Sequence, residues 1–276
     1  MFKSKNNAFT LVELLVVIGI IALLTSLLMP ALAKAKSIAQ GVVCASNLRQ
    51  LSMAAHLYAS EEDDHLPLAT MADRDKGTAS DDLIDHMTTW NTDVITNRTT
   101  GERTTRSGLL WRSEEIPGEI QQCPGYKGDP SWAADTFTGY NYNTSYIGEE
   151  ILGPNKKLTP KLSIINFPST CPLFGEGEMS DGNANKFMRA PLVITNDRGL
   201  RDFRMDILTR YAGAQVIRHS LATFVAYADG HVAGVRKLFK GENYQLIVAY
   251  GIAAKPKFEA GNLGFLSDNN TGYDLE

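Results

Sequence analysis

The sequence predicts an α+β protein in which one long N-terminal helix packs on an antiparallel β-sheet head. Three observations carry this expectation. Residues 9–29 form an almost uninterrupted apolar run. Apolar residues then recur at three- and four-residue spacing as far as Tyr58, the period of a helix with one covered face. From residue 65 onward the apolar segments are short, and one pair flanks the turn-forming dipeptide Asp229-Gly230.

Composition bounds the class. The chain has 276 residues, 43% of them hydrophobic and 21% charged, which excludes a wholly disordered, collagenous or polytopic membrane protein. Net charge is −4, so no overall basic field points to nucleic acid. Three cysteines, Cys44, Cys123 and Cys171, are too few and too scattered for a disulfide scaffold or a zinc ribbon.

The apolar run reads FTLVELLVVIGIIALLTSLLM. At about 1.5 Å per residue it spans roughly 30 Å, the hydrocarbon thickness of a bilayer. A secretory signal peptide would have a shorter core and a clear small-residue cleavage site, and Ala31–Ala33 is only a weak match. Glu13 is the single charge inside the run. A carboxylate there costs about 2.5–3.5 kcal/mol on insertion scales, so it implies a partner or a function. Lys3 and Lys5 precede the span and Lys34 and Lys36 follow it, which leaves its orientation open.

Beyond Pro30, which lacks an N–H and should kink the helix, the stripe Ile38, Val42, Ala45, Leu48, Leu51, Ala55 and Tyr58 continues it. The helix is expected from about Phe9 to about Ala59, ended by Glu61-Glu62-Asp63-Asp64 and Pro67. Strands are expected at Phe224–Ala228 and His231–Val235, joined by Asp229-Gly230 as a two-residue type I′ turn. Cys171–Phe174 and Leu192–Thr195 are weaker strands, and the polar stretches Asn91–Ser107 and Asp135–Asn143 read as loops. The organisation that follows is a leader at 1–8, a membrane-spanning helix at 9–30, its amphipathic continuation at 31–64 and one head at 65–276.

The start of the chain resembles the prepilin signal of type IV pilins and type II secretion pseudopilins: a short basic leader, the small residue Ala8, then Phe9-Thr10-Leu11-Val12-Glu13. The family usually has Gly where this chain has Ala8. The segment CASNLRQLSMAAHLYASEEDDHLP (44–67), QCPG (122–125), PSTCPLFGEGE (168–178) and His219 followed after nine residues by Asp229-Gly230 are similar to segments of many bacterial pseudopilin-like proteins. This resemblance implies a pilin-like fold. It implies that a prepilin peptidase cuts between Ala8 and Phe9 and methylates the new amine of Phe9. Glu13 and Pro30 match the family's assembly glutamate and helix-kinking proline. It also implies a leader in the cytoplasm and a head in the periplasm, anchored in the bacterial inner membrane. The expected role is a structural subunit of a type II secretion pseudopilus, with itself, other pseudopilins, the inner-membrane assembly platform and the lipid bilayer as partners. An adhesive or DNA-uptake pilus subunit shares this N-terminal chemistry, and a single-pass anchored binding or hydrolytic domain is the alternative of a different class.

With the head outside the cytoplasm, where disulfides persist, a Cys44–Cys123 bridge is expected, because both cysteines fall in segments shared with the resembling proteins. Cys171 would lie in the core outside that bridge. Calcium at Glu61–Asp64 is the ion that pseudopilin heads suggest, although the run lacks the Asp-x-Asp-x-Asn-Gly spacing of an EF-hand loop. Glu176, Glu178, His219, Asp229 and His231 could form a metal or acid/base cluster. Against this, the turn already explains Asp229, and His219 could simply bond backbone around the hairpin. No cofactor is expected. No G-x-S-x-G, P-loop, H-E-x-x-H or C-x-x-C motif occurs, and the expectation is that the chain is not an enzyme.

Overall fold

The computed structural model describes residues 10–73, 84–97, 99–111, 118–129, 139–144, 147–148, 151–152, 159–178, 183–184, 186–188, 214–241 and 260–267. Ala8, Phe9 and the expected strand Leu192–Thr195 lie outside them.

Helix α1 (Leu11–Glu61) runs unbroken through Pro30. Residues 11–36 are all exposed, none of them touching the head as a buried side chain. Within this segment the polar side chains are satisfied by the helix itself. Thr25 donates to the Ile21 and Ala22 carbonyls and Ser26 to that of Leu23, so their hydroxyls need no water to be bonded. The other end closes in two left-handed residues, Asp63 (φ 51°) and Asp64 (φ 71°), and the Asp64 N–H turns back to the Ala59 carbonyl at 2.8 Å. Short polar Asp tolerates that conformation better than apolar residues do.

The face that packs on the head keeps Leu48, Leu51 and Ala55 of the expected stripe, with Tyr58 packed against the core, but departs from it at the Ile38–Val42 end. Gly41, Cys44, Leu48, Leu51, Ala55 and Ala59 are buried, with Asn47 and Ser52 beside them. Ile38 and Val42 point outward, 50% and 65% exposed, and Ala45 and Tyr58 are partly covered. The reason is distance rather than hydrophobicity. A Cβ on Gly41 would sit 2.9 Å from Phe224 Cε2 and 3.0 Å from His219 Cβ, so only the small-residue face admits the head this closely.

In chain order the strands are β1 (Thr70–Asp73), β2 (Ile84–Thr89), β3 (Thr92–Asn97), β4 (Arg103–Ser107), β5 (Asn141–Asn143), β6 (Ile151–Leu152), β7 (Pro172–Gly175), β8 (Phe187–Met188), β9 (Gln215–Val216), β10 (Thr223–Tyr227), β11 (Val232–Val235) and β12 (Leu263–Gly264). One sheet has the order β4-β3-β2-β1-β6 and a second β11-β10-β7-β5-β8, while β9 pairs with β12. Both larger sheets are antiparallel except at β1–β6 and β5–β8. Helix α1 lies on β10, β7 and β11 of the second sheet and meets the short helix α2 (Gly118–Gln121). Trp90, between β2 and β3, joins the sheets by packing its ring 5.4 Å from Phe174 and 6.1 Å from Tyr142.

Three local expectations are corrected. Asn91–Ser107 is not a loop but β3 and β4. Strand β4 reads RTTRS, fully exposed at the sheet edge, where charged residues blunt edge-to-edge pairing and leave no hydrophobic signature. The stretch Asp135–Asn143 ends in β5, whose Asn141, Tyr142 and Asn143 are all buried between β7 and β8. Asn143 donates to the Pro172 carbonyl (2.9 Å) and Gln215 to Asn141 (3.2 Å), so pairing overrides the turn preference of asparagine. The β10–β11 hairpin exists, but its turn is not type I′. Only Gly230 has positive φ (89°), the Gly230 N–H bonds to Tyr227 and the Tyr227 N–H to His231, a three-residue loop with glycine in the bulge position. Two successive positive φ values fall instead at Ser220 (44°) and Leu221 (74°), in the tight turn bridging His219 and Ala222.

A fragment beginning at Lys34 should therefore fold without the anchor. Mixed helix and strand circular dichroism with one cooperative thermal transition is the expected result, and a purely helical or disordered spectrum would contradict this packing.

Candidate functional site

At its N-terminus the helix is closed by a reciprocal cap. Thr10 is extended (φ −80°, ψ 151°), its hydroxyl accepts the Glu13 N–H at 3.3 Å, and the Glu13 carboxylate accepts the Thr10 N–H at 2.9 Å and its hydroxyl at 2.7 Å. This capping box satisfies donors that an apolar medium would leave bare. Its signature, Thr-x-x-Glu ahead of an apolar run, is a local signal that the reading of Glu13 as an acid needing a distant partner overlooked.

A second cluster forms where the helix meets the head. Cys44 presents Sγ from the buried face of α1. Cys123 follows α2 in the turn Cys123-Pro124-Gly125-Tyr126, closed by the Tyr126 N–H on the Cys123 carbonyl. Two helix side chains clamp this turn: Gln40 donates to the Pro124 carbonyl (2.9 Å) and Asn47 to that of Gln122 (3.4 Å) and to the Tyr140 hydroxyl (3.2 Å). Glu176 follows β7, and His219 stands between β9 and β10. The two sulfurs lie 3.0 Å apart, unbonded, and Cys123 Sγ is 3.6 Å from both Glu176 Oε1 and His219 Nε2. His219 Nε2 and Glu176 Oε1 are 2.8 Å apart, while Glu176 Oε2 accepts the Phe224 N–H at 2.8 Å. All four groups are buried and their ligand atoms lie within 4.8 Å of one another.

Glycines make room for this convergence. A Cβ on Gly125 would fall 2.4 Å from His219 Cε1, and one on Gly139 (φ 103°) would fall 2.7 Å from Cys123 Cβ. Arg218 braces the other side, donating to the Gly139 (2.9 Å) and Gly177 (2.7 Å) carbonyls with its guanidinium 4.8 Å over the Tyr126 ring. The electrostatics follow from closeness. The bond with Cys44 pulls the Cys123 thiol down to about 6 against the opposing effect of burial, and the same bond, reinforced by burial, pushes Cys44 up. Burial works against charge on His219, but hydrogen bonds to Cys123 and Glu176 raise it to about 9. Burial and the neighbouring sulfurs raise Tyr140.

The other candidate residues lie elsewhere. Asp229 and His231 pair with each other at 2.5 Å on the hairpin turn, away from Glu176 and His219. Slight burial disfavours the Asp229 charge, yet the His231 bonds hold its carboxyl below the ordinary range. The His231 ring stacks on Tyr227 (centroids 4.5 Å apart). Glu178 meets Arg218 at 3.5 Å. In the acidic run, Asp64 accepts the Ser163 N–H (3.0 Å), docking the turn Leu162–Ile164 on the helix end, and bonds from the Ser163 side chain and backbone hold its carboxyl low. Cys171 is buried in the core. His219 and Asp229-Gly230 thus stand at opposite ends of β10 and do separate jobs. Reasoning from sequence missed the joining of Glu176 and His219 to both cysteines, because the four come from distant segments with no common spacing.

A capped helix long and apolar enough to cross a membrane, with a mixed-sheet head on its far half, fits a membrane-anchored, pilin-like α+β protein. Residues 3–29 match the family model of the prokaryotic N-terminal methylation motif, so the chain carries a type IV pilin-like processing signal. That motif implies prepilin peptidase processing and pilin-type assembly, and proteins of this type are generally structural. No curated protein and no solved structure matches the chain.

Gly125→Ala should push His219 out of the cluster and destabilise the head by about 1–3 kcal/mol, the usual cost of overpacking. Chemical denaturation of the Lys34 fragment measures it, and an unchanged midpoint would contradict the close approach.

Proposed function

We propose that the chain is a structural subunit cut by prepilin peptidase between Ala8 and Phe9, N-methylated at Phe9, and packed helix to helix into a filament of the type II secretion pseudopilus. The observation that carries this reading is the methylation motif on a helix whose residues 11–36 are unburied. The second half of the helix supports it too, since Val42, Val43, Met53 and Leu57 are all between 48% and 65% exposed on the faces turned from the head. Such residues suit neighbouring helices better than water. Storage in the bacterial inner membrane with the head in the periplasm, and delivery to the filament by an inner-membrane platform together with other pseudopilins, belong to this reading. An adhesive or DNA-uptake pilus subunit would use the same N-terminal chemistry. The chain acts in either case as a building block and not as an enzyme.

One observation favours a different reading, an anchored domain that never assembles. The capping box gives Glu13 a local use, so the acid does not by itself demand a neighbouring subunit. Glutamine separates the two roles, because it preserves a capping box but carries no charge. In the assembly reading Glu13 pairs with the amine of Phe9 on a neighbour, and a misplaced subunit leaves both charges unpaired in low dielectric. Glu13→Gln should then leave insertion and head folding intact while reducing cross-linked multimers in membranes on the order of tenfold, about 1.4 kcal/mol. Incorporation equal to that of the unaltered chain would show Glu13 to be only a cap. The mass of the mature N-terminus checks cleavage after Ala8 separately.

A further inference from the structure

We propose that Cys44, Cys123, Glu176 and His219 form a closed structural site for a thiolate-preferring divalent metal, zinc, which fastens the helix to the head. Four donor atoms from four separate segments meet in one buried pocket. Two sulfurs, one imidazole nitrogen and one carboxylate oxygen are a donor set zinc accepts, whereas calcium and magnesium require oxygen throughout. With bonds of about 2.3 Å to sulfur and about 2.0–2.2 Å to nitrogen or oxygen, a tetrahedral ion needs donors roughly 3.3–3.8 Å apart. The neighbouring pairs here are 2.8, 3.0, 3.6 and 3.6 Å apart, and no pair exceeds 4.8 Å. Small side-chain shifts open the cage to that size.

The surroundings fit a metal site as well. Glu176 Oε2 is held by the Phe224 N–H, which aims Oε1 into the cluster. Gln40 and Asn47 fix the Cys123 turn against the helix on either side of Cys44. Gly41, Gly125 and Gly139 exclude side chains that would separate the donors. Binding would release the thiol protons and any proton on His219, so that the sulfurs ligate as thiolates and the ring through neutral Nε2. Three anionic ligands around a dication leave one negative charge, beside which stands the Arg218 guanidinium, its side chain 7% exposed. A Cys44–Cys123 disulfide is the competing state of the same atoms. It would use two of the four groups and leave Glu176 and His219 as a buried ion pair beside it, whereas a metal employs all four. No residue of the quartet is exposed, so the site has the closed character of a structural ion and not of a catalytic one.

The full chain, extracted from membranes in detergent with thiols trapped at lysis, should contain stoichiometric zinc by elemental mass spectrometry. Its Cys44 and Cys123 should resist alkylation until a chelator is added. Cobalt(II) exchanged into the unaltered chain should give the visible absorption of a tetrahedral thiolate-ligated ion, a readout independent of any variant's folding. Cys44→Ser and His219→Ala should lose the zinc and the cobalt spectrum, while Cys171→Ser keeps both. A Cys44–Cys123 disulfide in peptide maps of the trapped protein would overturn the proposal. So would zinc retained in the Cys44→Ser/Cys123→Ser double variant, or a zinc-free chain with reactive thiols that takes up neither ion. None of these readouts depends on whether the subunit enters a filament.

Discussion

The close approach of the helix to the head at Gly41 and Cys44 governs most of what surrounds it. The small residues Gly41 and Cys44 at this end of the covered face let Phe224 of β10 and the His219 turn come to within van der Waals distance of the backbone. That approach brings Cys44 to the Cys123 turn, buries His219 against Gly125 and leaves Glu176 enclosed beneath Phe224. Larger side chains on that face would hold the head away and expose the polar groups now packed together. The bulky residues Ile38, Val42, Val43, Met53 and Leu57 are displaced to the outer faces as a direct result.

The helix therefore serves three environments along its length. Residues 11–36 make no buried contact with the head and suit hydrocarbon, with hydroxyls bonded back into the helix. From Gly41 to Ala59 one side is core. The uncovered side carries exposed Val42, Val43, Met53 and Leu57 among polar residues such as Ser46 and Arg49, more apolar surface than a helix facing water usually shows. At the top, Thr10 and Glu13 satisfy the first turn internally, so the acid that looks anomalous in an apolar run is locally bonded before any partner arrives.

Several polar groups in the head are satisfied across the chain, though Asn141 Nδ2 and Gln215 Oε1 are left without a partner among the described residues. Asn141, Asn143 and Gln215 are fully buried, and each is drawn into a hydrogen bond across strands. Asp64 leaves the end of the helix to cap the Leu162–Ile164 turn. Asp229 and His231 satisfy each other at the hairpin. The Cys44, Cys123, Glu176 and His219 quartet is a further buried polar group, whose members bond to one another and to their immediate supports.

The sequence by itself determined the elements whose causes are local. The apolar run, the three-and-four spacing, the capping pair Thr10 and Glu13 and the Asp229-Gly230 hairpin are all set by residues within a few positions of each other. The matched methylation motif is local in the same sense. Tertiary structure decided whatever depends on partners far along the chain. Local hydrophobicity finds Leu48, Leu51 and Ala55 on the covered face but misplaces Ile38 and Val42, because near Gly41 the close approach of His219 and Phe224 leaves no room for a bulky side chain. Strands β4 and β5 are invisible in composition, since one is a charged edge and the other a buried row of asparagines held by cross-strand bonds. Even the turn types exchange places: Ser220-Leu221 takes two positive φ values with no glycine, held by the strand ends it joins, while Asp229-Gly230 needs only one. The quartet is the extreme case. Its four members are spread from residue 44 to residue 219 with no shared period, and only the folded chain brings their donor atoms within reach of a single ion.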